Sequence, residues 1–160
     1  MGFKRKLIIG IVSAFLLVIV VTMICIITQK KDADYTTKLI SVLNKQEEIT
    51  AQDVFLFDFE RAYVFNDCYI SGEGFAEKYD LDISINQVKA GVSENIQRIV
   101  FVDKTGAFVY EFKCDNNKVA FPKQGIIIYP KTVIERMSSI PGKPLTISFQ
   151  SSDYYDSEFE

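Results

Sequence analysis

A charge-free apolar segment near the start of the chain constrains its structure more than any other feature. Residues 7–27 contain 21 consecutive positions without a charged side chain, and 18 of these positions are apolar. A helix rises about 1.5 Å per residue, so a segment of this length spans roughly 30 Å, the hydrocarbon thickness of a bilayer. The sequence therefore predicts one transmembrane helix over residues 7–27.

A cleaved signal peptide is the main alternative to a permanent anchor, because three basic residues, Lys4, Arg5 and Lys6, precede the apolar segment. Signal peptides usually carry an apolar region of about 7–15 residues that ends in small side chains at the cleavage site. Here the segment is longer and ends in Thr-Met-Ile-Cys-Ile-Ile. This favours an uncleaved signal-anchor in which Cys25 is one more small apolar residue.

The distribution of basic residues predicts the orientation of this single-pass anchor. Three basic side chains precede the apolar segment, whereas two, Lys30 and Lys31, follow it. Because basic flanks tend to stay in the cytoplasm, we expect residues 1–6 to form a cytoplasmic basic leader and the C-terminal domain to lie outside the cell membrane. Frequent Ile, Lys, Asn and Phe residues suggest an AT-rich bacterial genome.

The composition of the remaining chain excludes several functional classes. Residues 28–160 carry 15 basic and 21 acidic side chains, a net charge of −6, whereas a nucleic-acid-binding domain is expected to be basic. The chain contains no histidine, which removes histidine-dependent catalytic triads and histidine-ligated zinc sites. We therefore expect the membrane and another envelope protein as partners, and no nucleic acid.

The residues after the anchor divide into three predicted regions. Residues 28–50 are expected to form a polar stalk and a juxtamembrane helix, whose apolar stripe either packs on the domain or continues as a spacer. Residues 51–150 are expected to form an extracytoplasmic α+β domain. Residues 151–160 contain four acidic side chains and no basic one, which predicts a frayed acidic tail.

The fold class predicted for the whole chain is α+β: an N-terminal transmembrane helix followed by a small domain with an antiparallel sheet and two or three helices. Asp103 and Gly106 enclose a turn of the type that joins two strands through a glycine bulge. The expected helices are 34–48, 71–79 and 130–138. The expected strands are 54–57, 62–65, 126–129 and 145–149, together with a three-stranded meander of 99–102, 107–112 and 119–121, and residues 80–86 are either a half-exposed strand or an extended segment on the core.

No complete motif for catalysis, cofactor binding or metal binding occurs in the sequence. Lys104-Thr105-Gly106 matches one element of penicillin-binding proteins, but no serine lies three residues before a lysine to supply the nucleophile and its base. Residues 80, 82, 84 and 86 alternate as oxygen ligands do in a calcium loop, yet Ile85 and Gly91 replace the required glycine and glutamate. We expect no catalytic, cofactor-binding or metal-binding residue.

Two weaker candidates remain in the exterior part. Asp58 and Glu60 are two residues apart and could share a strand face as paired carboxylates, and with Arg61 they form a candidate surface. Cys68 and Cys114 are the only cysteines outside the apolar segment, and an oxidising exterior would permit a disulfide between them. Two separate, partly buried thiols are the alternative.

The segment Phe57–Phe65, followed by Tyr69, resembles an uncharacterised group of small bacterial single-pass membrane-anchored or lipoprotein-like proteins. The resemblance continues downstream through Ile99–Asp103 and Gly106, Phe108 and Val109, and it covers roughly residues 54–149. The loop of that group usually contains proline, whereas residues 66–68 here are Asn-Asp-Cys. The resemblance implies a small α+β exterior module and brings no activity with it.

Two functions follow as hypotheses from these observations. The first is a non-enzymatic protein-interaction or structural module held at the cell envelope by its anchor. The alternative is a carboxylate-based enzyme or a small-ligand-binding domain. A pocket converging on Asp58, Glu60 and Arg61 would favour the alternative, whereas a flat surface would favour the first hypothesis.

Overall fold

The computed structural model describes residues 3–65, 69–121, 125–138, 140–150 and 153–154. The chain forms two compact units, Met1–Asp34 and Tyr35–Glu160. Helix α1 spans Phe3–Leu43 and so contributes to both units. In the first unit, the large apolar side chains that the structure describes are 38% to 67% exposed. Among the described residues, no helix combines the length and the apolar character needed to cross a membrane.

The second unit is an α+β domain with two sheets, which confirms the predicted fold class for the part outside the apolar segment. Besides α1, the structure describes two short helices, α2 (Ala51–Val54) and α3 (Gly72–Lys78). The described strands are β1 (Glu48–Thr50), β2 (Arg61–Phe65), β3 (Ile96–Val102), β4 (Phe108–Asp115), β5 (Val119–Ala120), β6 (Ile126–Ile128), β7 (Val133–Ser138), β8 (Leu145–Gln150) and β9 (Asp153–Tyr154).

The strands divide between a four-stranded sheet in the order β1-β7-β8-β5 and a five-stranded sheet in the order β4-β3-β2-β6-β9. Every pairing between these strands is antiparallel except β5 with β8, which is parallel. The sequence predicted one antiparallel sheet, whereas the described strands form two sheets. The reason is that β5 and β7 both pair with β8, and β7 also pairs with β1. These four strands therefore form a sheet separate from the one that contains the β3–β4 hairpin.

One apolar core, here called the inter-sheet core, joins both sheets and the part of α1 that follows Asp34. Leu39 and Leu43 of α1 are at most 1% exposed, so this part of the helix packs on the domain instead of forming a spacer. The other buried members are Ile49, Ala51, Val54, Phe55, Phe59, Ala62, Val64, Ile99, Phe101, Phe112, Cys114, Val119, Phe121, Ile126, Ile128, Ile134, Leu145, Ile147 and Phe149.

The opposite face of the five-stranded sheet carries a smaller core, here called the outer core, beneath α3 and the connecting segment 80–88. Its buried members are Tyr63, Phe75, Ile85, Val88, Val100 and Val102. Ser71 begins α3 as predicted, because its hydroxyl accepts a hydrogen bond from the backbone N–H of Gly74. Ser84 makes an isolated bridge to Ala107, so residues 80–86 form an extended segment on the core.

The β3–β4 hairpin confirms the predicted turn at residues 103–106. Gly106 adopts a positive φ of 77°, and its N–H donates to the carbonyl of Asp103. A left-handed conformation at this position is cheap only for glycine, since a side chain would clash with the backbone. The register shifts between Phe101 and Val102, as a bulge next to such a turn requires.

The predicted strand over residues 54–57 is wrong, because α2 ends at Val54 and the following residues extend without joining a sheet. The phenylalanines at positions 55, 57 and 59 instead point one way and pack on a single ring, Phe101, at centroid distances of 4.7, 5.0 and 4.9 Å. Between them Leu56 is 73% exposed. The phenylalanines thus alternate with an exposed residue on an extended segment that has no sheet partner among the described residues.

The prediction is also wrong about the partner of the third strand of the meander. Residues 119–120 do form β5, but β5 pairs with β8 in the other sheet. A side chain replaces part of the expected pairing between the second and third strands of the meander. The buried amide of Gln97 accepts a hydrogen bond from the Phe121 N–H at 2.8 Å and donates one to the Phe121 carbonyl at 2.9 Å. The chain thus changes sheets while the backbone groups of Phe121 remain satisfied.

The helix expected over residues 130–138 is absent, and β7 occupies most of that stretch. Glu135 of β7 pairs with Glu48 on one side and Ser148 on the other, so the strand lies inside its sheet. Pro130 suited a first helical turn, but Thr132, Val133 and Ile134 are β-branched and favour a strand. Two long-range pairings decide between these local preferences.

The predicted acidic tail is partly ordered. Asp153 and Tyr154 form β9, which pairs with β6 at the edge of the five-stranded sheet. Residues 151–152 and 155–160 lie outside the described residues. The acidic composition therefore did not prevent this short segment from adding to a sheet.

Candidate functional site

The structure places two of the three candidate residues, Asp58 and Glu60, in a small cleft of about 260 Å³. Phe59 forms its floor at 7% exposure, and Asp103 and Lys104 of the β3–β4 turn complete its lining. The backbone N–H of Glu60 donates to the carbonyl of Val102, which brings the two segments together. The cleft thus collects three carboxylates and one ammonium group from segments that are distant in sequence.

Asp103 is held as an anion in this cleft. Its Oδ1 accepts hydrogen bonds from the Thr105 hydroxyl at 2.7 Å, the Thr105 N–H at 2.8 Å and the Ala107 N–H at 3.0 Å. These bonds, above all the one from the hydroxyl, hold the pKa of the Asp103 carboxyl below its ordinary value. Such a group does not supply a proton at neutral pH. The Lys104-Thr105-Gly106 triplet forms part of the β3–β4 turn, where Thr105 donates to Asp103.

Arg61, the third candidate residue, does not line this cleft. No ion pair joins it to Asp58 or Glu60 among the described residues. Because side chains alternate along a strand, Arg61 shares the face of β2 that carries Tyr63 of the outer core. The register Ala62↔Ile128 places Arg61 and Tyr129 at neighbouring positions where β2 begins and β6 ends.

A polar group, here called the corner cluster, therefore lies at one corner of the five-stranded sheet: Arg61, Tyr63, Tyr129 and Asp153. Burial raises the pKa of the Tyr63 phenol, while the charge and the hydrogen bond of Arg61 lower it in part. The Nε atom of Arg61 is buried without a hydrogen-bond partner among the described residues. The guanidinium thus keeps one donor available at the corner.

A hydrogen bond joins Tyr129 of the corner cluster to β9. The Tyr129 hydroxyl donates a hydrogen bond of 2.6 Å to Oδ2 of Asp153. This bond to a carboxylate, with a smaller effect of burial, raises the pKa of Tyr129 to about 12. The phenol therefore stays protonated over the physiological range and acts as a donor that holds an anion.

Sequence reasoning found Arg61 but missed its three companions. Tyr63 was assigned to a strand, Tyr129 to the end of a short extended segment, and Asp153 to a frayed tail. No motif links them, because 90 residues separate Tyr63 from Asp153 and they meet only when β6 pairs with both β2 and β9. The one local signal is the Arg-x-Tyr alternation at residues 61–63.

The disulfide prediction remains untested, since Cys68 lies outside the described residues. Cys114 is fully buried in the inter-sheet core. Its Sγ lies 3.9 Å from the Thr36 hydroxyl of α1 and 3.9 Å from the carbonyl oxygens of Asp115 and Val119. At this position the thiol packs as a small apolar side chain with weak polar contacts.

The described part of the chain holds no group of three or more acidic, cysteine or histidine side chains arranged to bind a metal ion. The alternating polar residues 80–86 accordingly lie on an extended segment, where the hydroxyl of Ser84 donates to Asn86 Oδ1. What the candidate residues can do chemically is bind: carboxylates line the cleft, and a phenol donates to an acidic side chain at the corner.

Comparison with known proteins finds no family model, curated relative or solved structure that matches this chain. The class that the structure itself defines is an α+β domain of two sheets preceded by a long helix.

Proposed function

We propose that this chain is a single-pass membrane-anchored protein whose α+β domain lies outside the cell and works as a non-enzymatic protein-interaction or structural module of the cell envelope. The observation that carries the anchor is the 21-residue segment 7–27, which contains no charge. Several of its side chains lie outside the described part, so the proposal rests on their sequence.

The described side chains of that segment support the same proposal. From Phe15 to Val21 every position is exposed and apolar, and the same holds for Met23, Ile24, Ile26 and Ile27. Because a helix turns once in about 3.6 residues, these positions cover its whole circumference. A helix that is apolar on all sides requires an apolar environment on all sides, as a bilayer provides.

The contrast within α1 supports a helix whose early apolar residues form the anchor and whose last residues belong to the globular domain. Leu39 and Leu43 form one buried stripe, whereas Thr37 and Ser41 are exposed and polar. This amphipathic pattern is typical of a helix on a globular domain. The basic leader before the apolar segment favours a cytoplasmic N-terminus.

The assignment to binding instead of catalysis rests on the chemistry of the two candidate sites. The carboxylate cleft of about 260 Å³ is smaller than the 300 Å³ or so at which ligand pockets begin. Asp103 is held ionised and Tyr129 is held protonated, so neither is tuned to exchange a proton near neutral pH. We therefore favour a module whose work is contact with another envelope protein.

Membrane extraction and topology test the anchor directly. We expect the full chain to stay in the pellet after alkaline carbonate extraction, and a C-terminal alkaline phosphatase fusion to be active. Replacing Leu17 and Val21 with lysine should release the chain, because a charge at the centre of a membrane helix costs about 2.5–3.5 kcal/mol. Leu56→Lys, at an exposed position of the domain, is the matched control and should leave retention unchanged.

Release of the unaltered chain by carbonate would contradict the anchor. An inactive fusion that is well expressed would contradict the exterior location. Affinity capture of the full chain in mild detergent tests the interaction role, with a specific co-purifying envelope protein as the expected result. Turnover of a substrate that is lost on replacing Asp58 and Glu60 would support the enzymatic alternative instead.

A further inference from the structure

The edge of the five-stranded sheet next to β6 is closed by the chain's own C-terminal segment. β9 contains only two residues, and its pairings are Asp153 with Ile127 and Tyr154 with Ile126. Without it, β6 would be the edge strand and would present unpaired backbone groups. Such an edge is a template for another strand, and a run of three isoleucines has a high preference for that conformation.

The corner cluster adds chemical selectivity to this edge. Tyr129 follows β6 directly and donates to the Asp153 carboxylate at 2.6 Å. The positive charge of Arg61 acts on Tyr129, so the acidic side chain of the docked strand meets a phenol donor close to a guanidinium. Hydrogen bonds to an ionised acceptor are stronger than neutral ones. The edge therefore favours an extended segment with an acidic residue opposite Ile127.

The segment that fills this edge is short, and its acidic side chain, Asp153, is exposed. Its described attachments are a two-residue backbone pairing and the exposed Tyr129–Asp153 hydrogen bond. Short pairings with solvent-exposed hydrogen bonds open at low free-energy cost. The strand can therefore leave the edge while the domain stays folded.

We propose that the β6 edge and Tyr129 form a strand-docking slot, occupied in cis by Asp153–Tyr154 and in trans by the same segment of a second copy of this chain. The second copy is the occupant we favour, because its segment has the sequence whose fit to the slot is observed. Exchange of an identical element between two copies adds no new contact type. The inference rests on the interaction role proposed above, and names a surface and a partner for it.

The slot is tested with a peptide of residues 151–160, which is added in mild detergent to a shortened chain that ends at Gln150 and to the complete chain. Fluorescence anisotropy should show binding to the shortened chain and at least ten-fold weaker binding to the complete chain, whose slot is filled. Asp153→Asn in the peptide, or Tyr129→Phe in the shortened chain, should weaken binding about five-fold or more, as loss of a charge-assisted hydrogen bond predicts. Tyr69→Phe, which removes an exposed hydroxyl that donates to Glu94, is the matched control and should bind normally.

Three outcomes overturn the slot: a folded shortened chain that does not bind the peptide, equal binding by the Asp153→Asn peptide, or loss of the folded state when β9 is removed. Circular dichroism distinguishes the first from the last. For the second copy, a tagged shortened chain should capture untagged complete chain, and excess peptide should release it. Capture that the peptide does not release would assign self-association to another surface. Extraction and topology do not depend on the slot, so the anchor and the slot can fail separately.

Discussion

The two faces of the five-stranded sheet are packed in different ways. The face toward the inter-sheet core is aromatic and closed, with Phe55, Phe57 and Phe59 around Phe101 and with Phe112 5.4 Å from Phe55. The other face is apolar only beneath α3 and ends in the corner cluster. One face thus contributes to stability, whereas the other combines a small core with polar groups that meet a two-residue edge strand.

This difference suggests where function can reside in a small domain. Substitutions on the closed face are expected to cost mainly folding free energy. The exposed part of the corner, the Tyr129–Asp153 hydrogen bond, can change with little cost to folding, whereas Tyr63 also packs in the outer core. Four substitutions test this division, ordered by the size of the expected effect.

Phe55→Ala should be the most damaging single change on the closed face. Phe55 is fully buried and its ring contacts those of Tyr35, Phe57, Phe101 and Phe112, so truncation leaves a cavity. We expect the free energy of unfolding, measured by denaturant titration in mild detergent, to fall by about 3–5 kcal/mol. The neighbouring Leu56→Ala, at 73% exposure, should change it by about 0.5 kcal/mol or less. Equal effects at the two positions would contradict the packing described for this segment.

Gln97→Ala should be the next largest change and tests how the chain passes between sheets. The substitution leaves the buried N–H and carbonyl of Phe121 without the Gln97 amide. Each unsatisfied group costs about 1–3 kcal/mol, so we expect a loss of about 2–4 kcal/mol in the same titration. Gln150→Ala removes an exposed amide and provides the control. A loss no greater than that of the control would mean that water replaces the side chain.

Gly72→Ala probes the packing of α3 on the outer face. A Cβ at this position would lie 1.9 Å from the carbonyl oxygen of Ile85, which is backbone and cannot turn away. We expect overpacking to cost about 1–3 kcal/mol. Gly74→Ala, two residues further in the same helix, meets only side-chain atoms at 3.2 Å or more and should be neutral or stabilise by up to about 1 kcal/mol. A larger cost for Gly72→Ala than for Phe55→Ala would reverse the proposed ranking of the two faces.

Tyr129→Phe should have the smallest effect at neutral pH, about 1 kcal/mol or less, because its bond to Asp153 is exposed. Its signature is instead the pH dependence. The folded pKa of Tyr129 is raised from 10.0 to about 12, so this contribution to stability is complete below pH 10 and is lost as the pH rises toward 12. The unfolding temperature should therefore fall more steeply between pH 9 and 12 for the unaltered chain than for Tyr129→Phe. Parallel curves for the two proteins would contradict the Tyr129–Asp153 bond.

Predictability from sequence followed the range of the interactions involved. The β3–β4 hairpin and α3 were predicted well, because Asp103, Gly106 and Ser71 act on neighbours within four residues. The partner of β5 was predicted wrongly, since the decisive contacts lie 24 residues away at Gln97 and further away in β8. The candidate surface was found in part: Asp58 and Glu60 do line a cleft, but Arg61 belongs to a different group.

The sequence by itself determined the features that neighbouring residues create: the charge-free apolar segment, the turn at Asp103–Gly106 and the short helix that follows Ser71. Only the tertiary structure decided that residues 133–138 form a strand, that the chain changes sheets after β4, and that Tyr129 meets Arg61 and Asp153. The physical reason is that local geometry depends on dihedral preferences and near neighbours. A sheet partner depends instead on which distant segments bury the most surface together and satisfy each other's backbone groups.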